Sequence, residues 1–167
     1  MKKGLINIYY GEGKGKSTAS LGRALVSASE GKEVFIIQFL KGRLPGNLTY
    51  LERLEPEVKV FRFEKFLKYY EDLTDEEKKE EINNILNGVH FAKKVLTIGE
   101  CDLLILDEIL GLVDLGIITV QEVVQLIKAK PEDMELIMTG RILPEELKDV
   151  ADYISCIGIV KNTEYNL

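Results

Sequence analysis

The sequence has no tryptophan, a single histidine (His90) and two cysteines, Cys101 and Cys156. One histidine on the flank of a helical stripe cannot build a Ser-His-Asp or Cys-His arrangement. No Cys/His cluster has the spacing of a zinc site. Two cysteines make no disulfide framework; each lies in or beside an apolar run and reads as a small buried side chain. No run approaches the ~20 apolar residues of a membrane span. The start, Met1-Lys2-Lys3 and then Leu5–Tyr10 interrupted by Asn7, is too short for a signal core. The cytoplasm is therefore the expected compartment, with no membrane partner. A basic excess is missing too: 22 Lys+Arg stand against 28 Asp+Glu, a net charge of −6. Nucleic acid is thus not an expected partner, because phosphate backbones are held mainly by Lys and Arg.

What is present fits one globular domain spanning residues 1–167. At 46% hydrophobic the chain can build a sizeable core. Its charge is uneven. Residues 1–63 carry 11 basic and 6 acidic side chains, and residues 64–167 carry 11 and 22. The basic part could receive an anion, or the acidic part could simply be well solvated. Glu64–Glu81, with 8 acids and 4 bases, reads as a solvated helix and its lead-in.

Apolar runs alternate with helical patterns. Leu5–Tyr10, Val34–Phe39, Val58–Phe63, Leu103–Leu106, Leu136–Thr139 and Tyr153–Val160 read as strands. Leu21, Ala24, Leu25 and Ala28 form a helix stripe ended by Gly31. Thr74 to Glu77 is a capping box opening a long helix with stripe Ile82, Ile85, Leu86 and Val89. A further helix carries Val120, Val123, Val124 and Ile127 and is closed by Pro131. Pro144 opens another with Leu147 and Val150. This alternation predicts an α/β domain with a mostly parallel central sheet flanked by helices. The irregular region 41–72 follows the second strand and contains Phe61, Phe63, Phe66, Tyr69 and Tyr70. These aromatics read either as core or as ligand contacts.

Gly11-Glu12-Gly13-Lys14-Gly15-Lys16-Ser17-Thr18 lies between a predicted strand and a predicted helix. Glycines let backbone N–H groups turn toward phosphate oxygens, and the helix aims its positive end at the same anion. Lys16 can bridge phosphates, and the Ser17 hydroxyl can hold Mg²⁺. The spacing is one residue shorter than G-x-x-x-x-G-K-[ST]. Leu103 to Leu106 followed by Asp107-Glu108 is a second element, an apolar strand ending in paired carboxylates that can hold a metal. With no base available, positioning, Mg²⁺ and lysine charge would supply the rate.

These segments together resemble the P-loop-type cob(I)alamin adenosyltransferases, or ATP:corrinoid adenosyltransferases. The resemblance rests on the phosphate loop, whose short spacing is that family's variant, and on Gln38-Phe39-Leu40-Lys41-Gly42. It continues through Leu106-Asp107-Glu108-Ile109 with the following Gly116, then Thr139-Gly140-Arg141, Pro144-Glu145-Glu146-Leu147 and Ala151-Asp152. It spans roughly residues 5–160. It implies a three-layer, RecA-like P-loop NTPase fold. The implied reaction transfers the 5′-deoxyadenosyl group of ATP to the cobalt of a reduced corrinoid, with release of triphosphate. Cobalt(I) attacks the 5′ carbon directly, so no proton need be removed from the nucleophile.

Carried over, Gly11, Glu12, Gly13, Lys14, Gly15, Lys16, Ser17, Thr18, Gln38, Lys41, Gly42 and Arg141 would bind substrate. Lys16 and Glu108 would be catalytic, and Ser17 and Glu108, with Asp107 nearby, would hold Mg²⁺ or Mn²⁺. Arg141 reaches phosphate or corrinoid, or makes a structural ion pair. The resemblance also implies an electron-donating flavoprotein as partner and admits a homodimer. Two alternatives stay open: another P-loop kinase or NTP hydrolase, and a non-catalytic ATP-binding relative with an incomplete corrinoid site.

Overall fold

The computed structural model describes residues 3–41 and 51–163. Six strands form one parallel sheet: β1 (Ile6–Tyr10), β2 (Val34–Gln38), β3 (Val58–Arg62), β4 (Leu103–Asp107), β5 (Glu135–Gly140) and β6 (Tyr153–Cys156), in the order β3-β2-β4-β5-β1-β6. Continuous apolar runs suit strands covered on both faces, and every residue of β2 and β4 is buried.

Alternation along the strands builds two cores. Val34, Ile36, Leu103, Ile105 and Ile137 pack with Ala24 of α1 (Lys16–Ser29). Phe35, Ile37, Leu104, Leu106, Leu136 and Met138 pack on the other face. There they meet α2 (Asp75–Ile98), α3 (Ile109–Asp114) and α4 (Val120–Ala129). The result is the expected three-layer α/β arrangement.

The α2 start is the capping box read from sequence. Thr74 Oγ1 accepts from the Glu77 N–H at 3.2 Å, and the Glu77 carboxylate accepts from the Thr74 N–H at 2.8 Å. An equivalent box of Thr119 and Glu122 opens α4. No described helix is long and apolar enough to cross a membrane.

Several expectations are corrected. Leu21, Ala24 and Ala28 of the α1 stripe pack toward the sheet, with Ser20 and Ser27 buried among them, whereas Leu25 is 44% exposed. The helix must turn its first residues toward the phosphate loop, and small side chains below them let it approach the sheet. The apolar stripe locates this face but carries no signal for the two serines buried on it. Arg23 on α1 also donates two bonds to the Glu135 carboxylate on β5, at 3.0 and 2.8 Å.

The segment after Pro144 is a single 3-10 turn, Glu145–Leu147, with Leu147 alone of the two stripe residues fully buried. The last strand ends at Cys156, which is exposed rather than buried. Cys101 is buried as expected, and burial pushes its thiol pKa up to about 12, so it stays protonated. Within Glu64–Glu81 most acids face solvent, but Glu64 and Glu81 are buried.

Two substitutions test this packing by urea denaturation. Ile85→Ala empties a fully buried position under α2 and is expected to cost about 2–5 kcal/mol. Ser27→Ala removes a buried hydroxyl with no hydrogen-bond partner among the described residues and is expected to be neutral or stabilising. A marked loss for Ser27→Ala would contradict the orientation of α1.

Candidate functional site

Parallel strands bring their carboxyl ends to one edge of a sheet, where ligands of such folds bind. Register then decides which side chains meet. Gln38 ends β2 in register with Asp107, which ends β4. Leu106 pairs with Met138, so Asp107 lies level with Thr139 on β5. All three continue the alternation that faces α1.

Asp107 is only 1% exposed, and a buried carboxylate requires donors. Thr139 Oγ1 donates to its Oδ1 at 2.7 Å and Ser17 Oγ donates to the same oxygen at 2.8 Å. Gln38 Nε2 donates to Oδ2 at 3.3 Å, with the Lys41 ammonium 3.4 Å away. Lys41 Nζ also donates to Ser17 Oγ at 2.9 Å. Arg62 Nε donates to Gln38 Oε1 at 2.8 Å, which orients the amide.

The phosphate loop is pinned from behind. The Gly11 N–H donates to the Gly140 and Arg141 carbonyls at 3.2 and 3.1 Å, and the Gly13 N–H to Ile157 O at 2.8 Å. A Cβ on Gly13 would stand 2.6 Å from that oxygen, so only glycine permits the approach. Gly15 takes φ 115° immediately before α1, a conformation that favours glycine. Lys16 is buried, and its ammonium folds back onto the Gly13 carbonyl at 2.9 Å. Lys14, Glu12 and Thr18 are exposed around the loop.

Glu108 follows Asp107 in sequence but belongs to the opposite side. It has φ 65°, its N–H is held by Thr139 Oγ1 at 2.8 Å, and it stands immediately before α3. Burial, then repulsion from Asp107, raises its pKa, opposed by Lys41, Lys16 and Arg141. It lines a cleft of about 650 Å³ with Glu12, Leu40, Tyr70, Arg141 and Ile142. A smaller cleft of about 280 Å³ runs past Ser17, Thr18, Gln38, Arg62 and Asp107. Lys41 and Tyr69 border both clefts. Arg141 is exposed on the larger one. The expected sites thus converge at one edge, except that Gly42 lies outside the described residues.

The sequence places Thr139 in a segment of the family resemblance without a role of its own, and it assigns none to Arg62 or the two buried glutamates. Glu64 accepts from the Leu40 N–H, fixing the backbone (φ 60° at Leu40) that delivers Lys41. Its pKa is raised by burial, against the pull of that N–H. Glu81 on α2 accepts from the Lys65 N–H at 3.0 and 3.1 Å and from the Phe66 N–H at 3.2 Å, which holds the lead-in to Tyr69. The aromatics divide. Phe61 and Phe63 pack on Phe91, Tyr70 packs on the same core while lining the large cleft, and exposed Tyr69 lines that cleft too.

The donor set at Ser17 and Asp107, a hydroxyl beside a carboxylate, is the hard oxygen chemistry that suits Mg²⁺. Lys41 already places a positive charge against the same two side chains. Among the described residues no group of three or more His, Cys, Asp or Glu forms a metal cage. A metal held here would therefore take most of its ligands from phosphate and water, as Mg²⁺ commonly does.

Comparison with known proteins gives the lineage. The family model "ATP:corrinoid adenosyltransferase BtuR/CobO/CobP" matches residues 2–165. An uncharacterized protein of Nostoc sp. is 36% identical over 165 residues, covering 89% of this chain and 42% of that one. The corrinoid adenosyltransferase of Escherichia coli is 30% identical over 165 residues, covering 96% of this chain and 80% of the enzyme. The corrinoid adenosyltransferase CobA of Salmonella typhimurium is 29% identical with the same coverage. Among solved structures, a KaiC-like protein of Pyrococcus horikoshii superimposes with TM-score 0.62 at 15% identity, covering 98% of this chain and 77% of that one. That likeness supports the P-loop NTPase fold. On the full-length family match, the chain belongs to the ATP:corrinoid adenosyltransferase BtuR/CobO/CobP family.

Proposed function

We propose that this protein transfers the 5′-deoxyadenosyl group of ATP to the cobalt of a cob(I)alamin-type corrinoid. The C5′–O bond of ATP breaks as the cobalt–carbon bond forms. Cobalt(I) supplies the electron pair, and triphosphate leaves with the pair from the broken bond. The observation that carries this reading is the pair of adjoining clefts with Lys41 and Tyr69 between them. One is walled by Ser17 and Thr18 at the start of α1 and by Asp107. The other, reached by Glu12 of the phosphate loop, is larger and partly apolar, suited to a bulky partner.

The chemistry needs no general base, and His90 is exposed on α2. Lys16 and the start of α1 would hold the phosphates and stabilise the leaving triphosphate. Gly11 and Gly13 would act by anchoring the loop, since their N–H groups are engaged behind it. Ser17 and Asp107 would hold Mg²⁺, which when bound supplies positive charge to the triphosphate. Glu108, on the other side, would reach the metal through water or face the corrinoid. Arg141 and the Tyr69–Tyr70 pair would line the corrinoid side. An electron-donating flavoprotein as the source of cobalt(I), a homodimer and a cytoplasmic setting belong to the same proposal.

The test mixes the protein anaerobically with chemically reduced cobalamin and Mg·ATP while the absorption spectrum is followed. A light-sensitive alkylcobalamin is expected, with triphosphate released. Phosphate release without alkylation would point instead to a hydrolase or kinase. In the same assay Lys16→Ala should lower turnover at least about 100-fold, the scale of losing one transition-state charge contact, with the far-UV spectrum unchanged. Unchanged turnover would remove the phosphate-loop assignment.

Glu108 gives a pH signature. Its raised pKa means that the folded state binds its proton more tightly than the unfolded chain. Its contribution to stability therefore falls as pH rises from the ordinary glutamate range through the folded value. Glu108→Gln removes that cost, so its stability relative to wild type should be greater at about pH 8 than at about pH 4. An equal difference at both pH values in urea titrations would contradict the assigned environment.

A further inference from the structure

Lys41 is placed with more care than a surface lysine requires. Its ammonium lies 2.9 Å from Ser17 Oγ and 3.4 Å from Asp107 Oδ2. Those are the two side chains assigned to the metal, and the inference rests on that assignment. Ser17 Oγ donates its proton to Asp107 Oδ1. Its lone pairs remain for a cation, and Lys41 is the cation that takes them.

The backbone behind it is fixed. Leu40 sits at φ 60°, uncommon for a residue with a Cβ, and its N–H is held by the buried carboxylate of Glu64. Glu81 in turn clamps the two residues after Glu64. The lysine side chain itself is 32% exposed and borders both clefts, so the ammonium has room to withdraw while its backbone stays fixed. A divalent ion and an ammonium cannot share two oxygens at these distances without strong repulsion.

We propose that Lys41 is a resident cation of the metal position. In the nucleotide-free protein it neutralises Asp107 and excludes the divalent ion. The triphosphate, by offering the ammonium new anionic partners and the metal new ligands, lets the two exchange places. Metal and nucleotide then bind as one cooperative event. The exchange keeps the buried Asp107 charge paired in both states, which a simple vacant site would not do.

The probe is Mn²⁺, with free ion measured by electron paramagnetic resonance on the full chain. Without nucleotide, Lys41→Met is expected to bind Mn²⁺ about tenfold or more tightly than wild type, within the usual range of site-to-site coupling. Lys41→Arg, which keeps the charge, should stay as weak as wild type. Adding Asp107→Asn to Lys41→Met should abolish the gain. Lys41→Gln serves as a second neutral variant, and circular dichroism verifies the fold of each. Equal Mn²⁺ affinity in wild type and the neutral variants overturns the proposal, as does a gain that survives Asp107→Asn. A parallel titration with ATP, read as the Mn²⁺ retained with the protein beyond that chelated by the same ATP alone, separates the two ideas. If wild type holds Mn²⁺ with ATP yet the neutral variants show no gain without it, only the role of Lys41 fails. If no Mn²⁺ is held with ATP either, the metal assignment fails and takes this proposal with it.

Discussion

The buried carboxylate of Asp107 is the constraint around which the site is organised. An ionised group at 1% exposure is tolerated only where donors surround it, and here they arrive from separate parts of the chain. Gln38 and Thr139 come from the flanking strands, Ser17 from the first turn of α1, and Lys41 from the segment after β2. Parallel register makes this convergence possible, because it sets three strand ends level at one edge. The same cluster fixes where the phosphate loop must lie, since Ser17 is its penultimate residue.

Alternation along β4 also explains why Asp107 and Glu108 do different things. One faces α1 and the phosphate loop. The next turns, at φ 65°, toward α3 and the larger cleft. A non-glycine residue in that conformation carries strain, which the surroundings must over-determine. The Thr139 hydroxyl does so by bonding the Asp107 carboxylate with its proton and the Glu108 N–H with a lone pair. Thr139 thus couples the two sides of the site through one oxygen.

The sheet was legible in the sequence because its strands are short apolar runs, and the phosphate loop because its glycines and lysines stand between a strand and a helix. The packed face of α1 was legible in part: Leu21, Ala24 and Ala28 mark it, but Ser20 and Ser27 are buried on it with no apolar signal and Leu25 turns to solvent. Glu64 and Glu81 were hidden in an acidic stretch; their burial depends on backbone N–H groups of residues that pattern analysis cannot place. Exposed Tyr69 could be separated from the packed Phe61, Phe63 and Tyr70 only once β3 and α2 fixed which rings meet. The paired carboxylates were readable as a unit. That they face opposite sides follows from strand alternation, given where β4 ends.

If Asp107 organises the metal side of the nucleotide site, its charge should matter for ATP only when a divalent ion is present. Equilibrium binding of ATP to wild type and Asp107→Asn, with Mg²⁺ and with excess chelator, measures this directly. The expected result is near-equal affinity in chelator and loss of the Mg²⁺-dependent tightening in the variant. A variant that still binds ATP more tightly with Mg²⁺, to the same degree as wild type, would contradict the account.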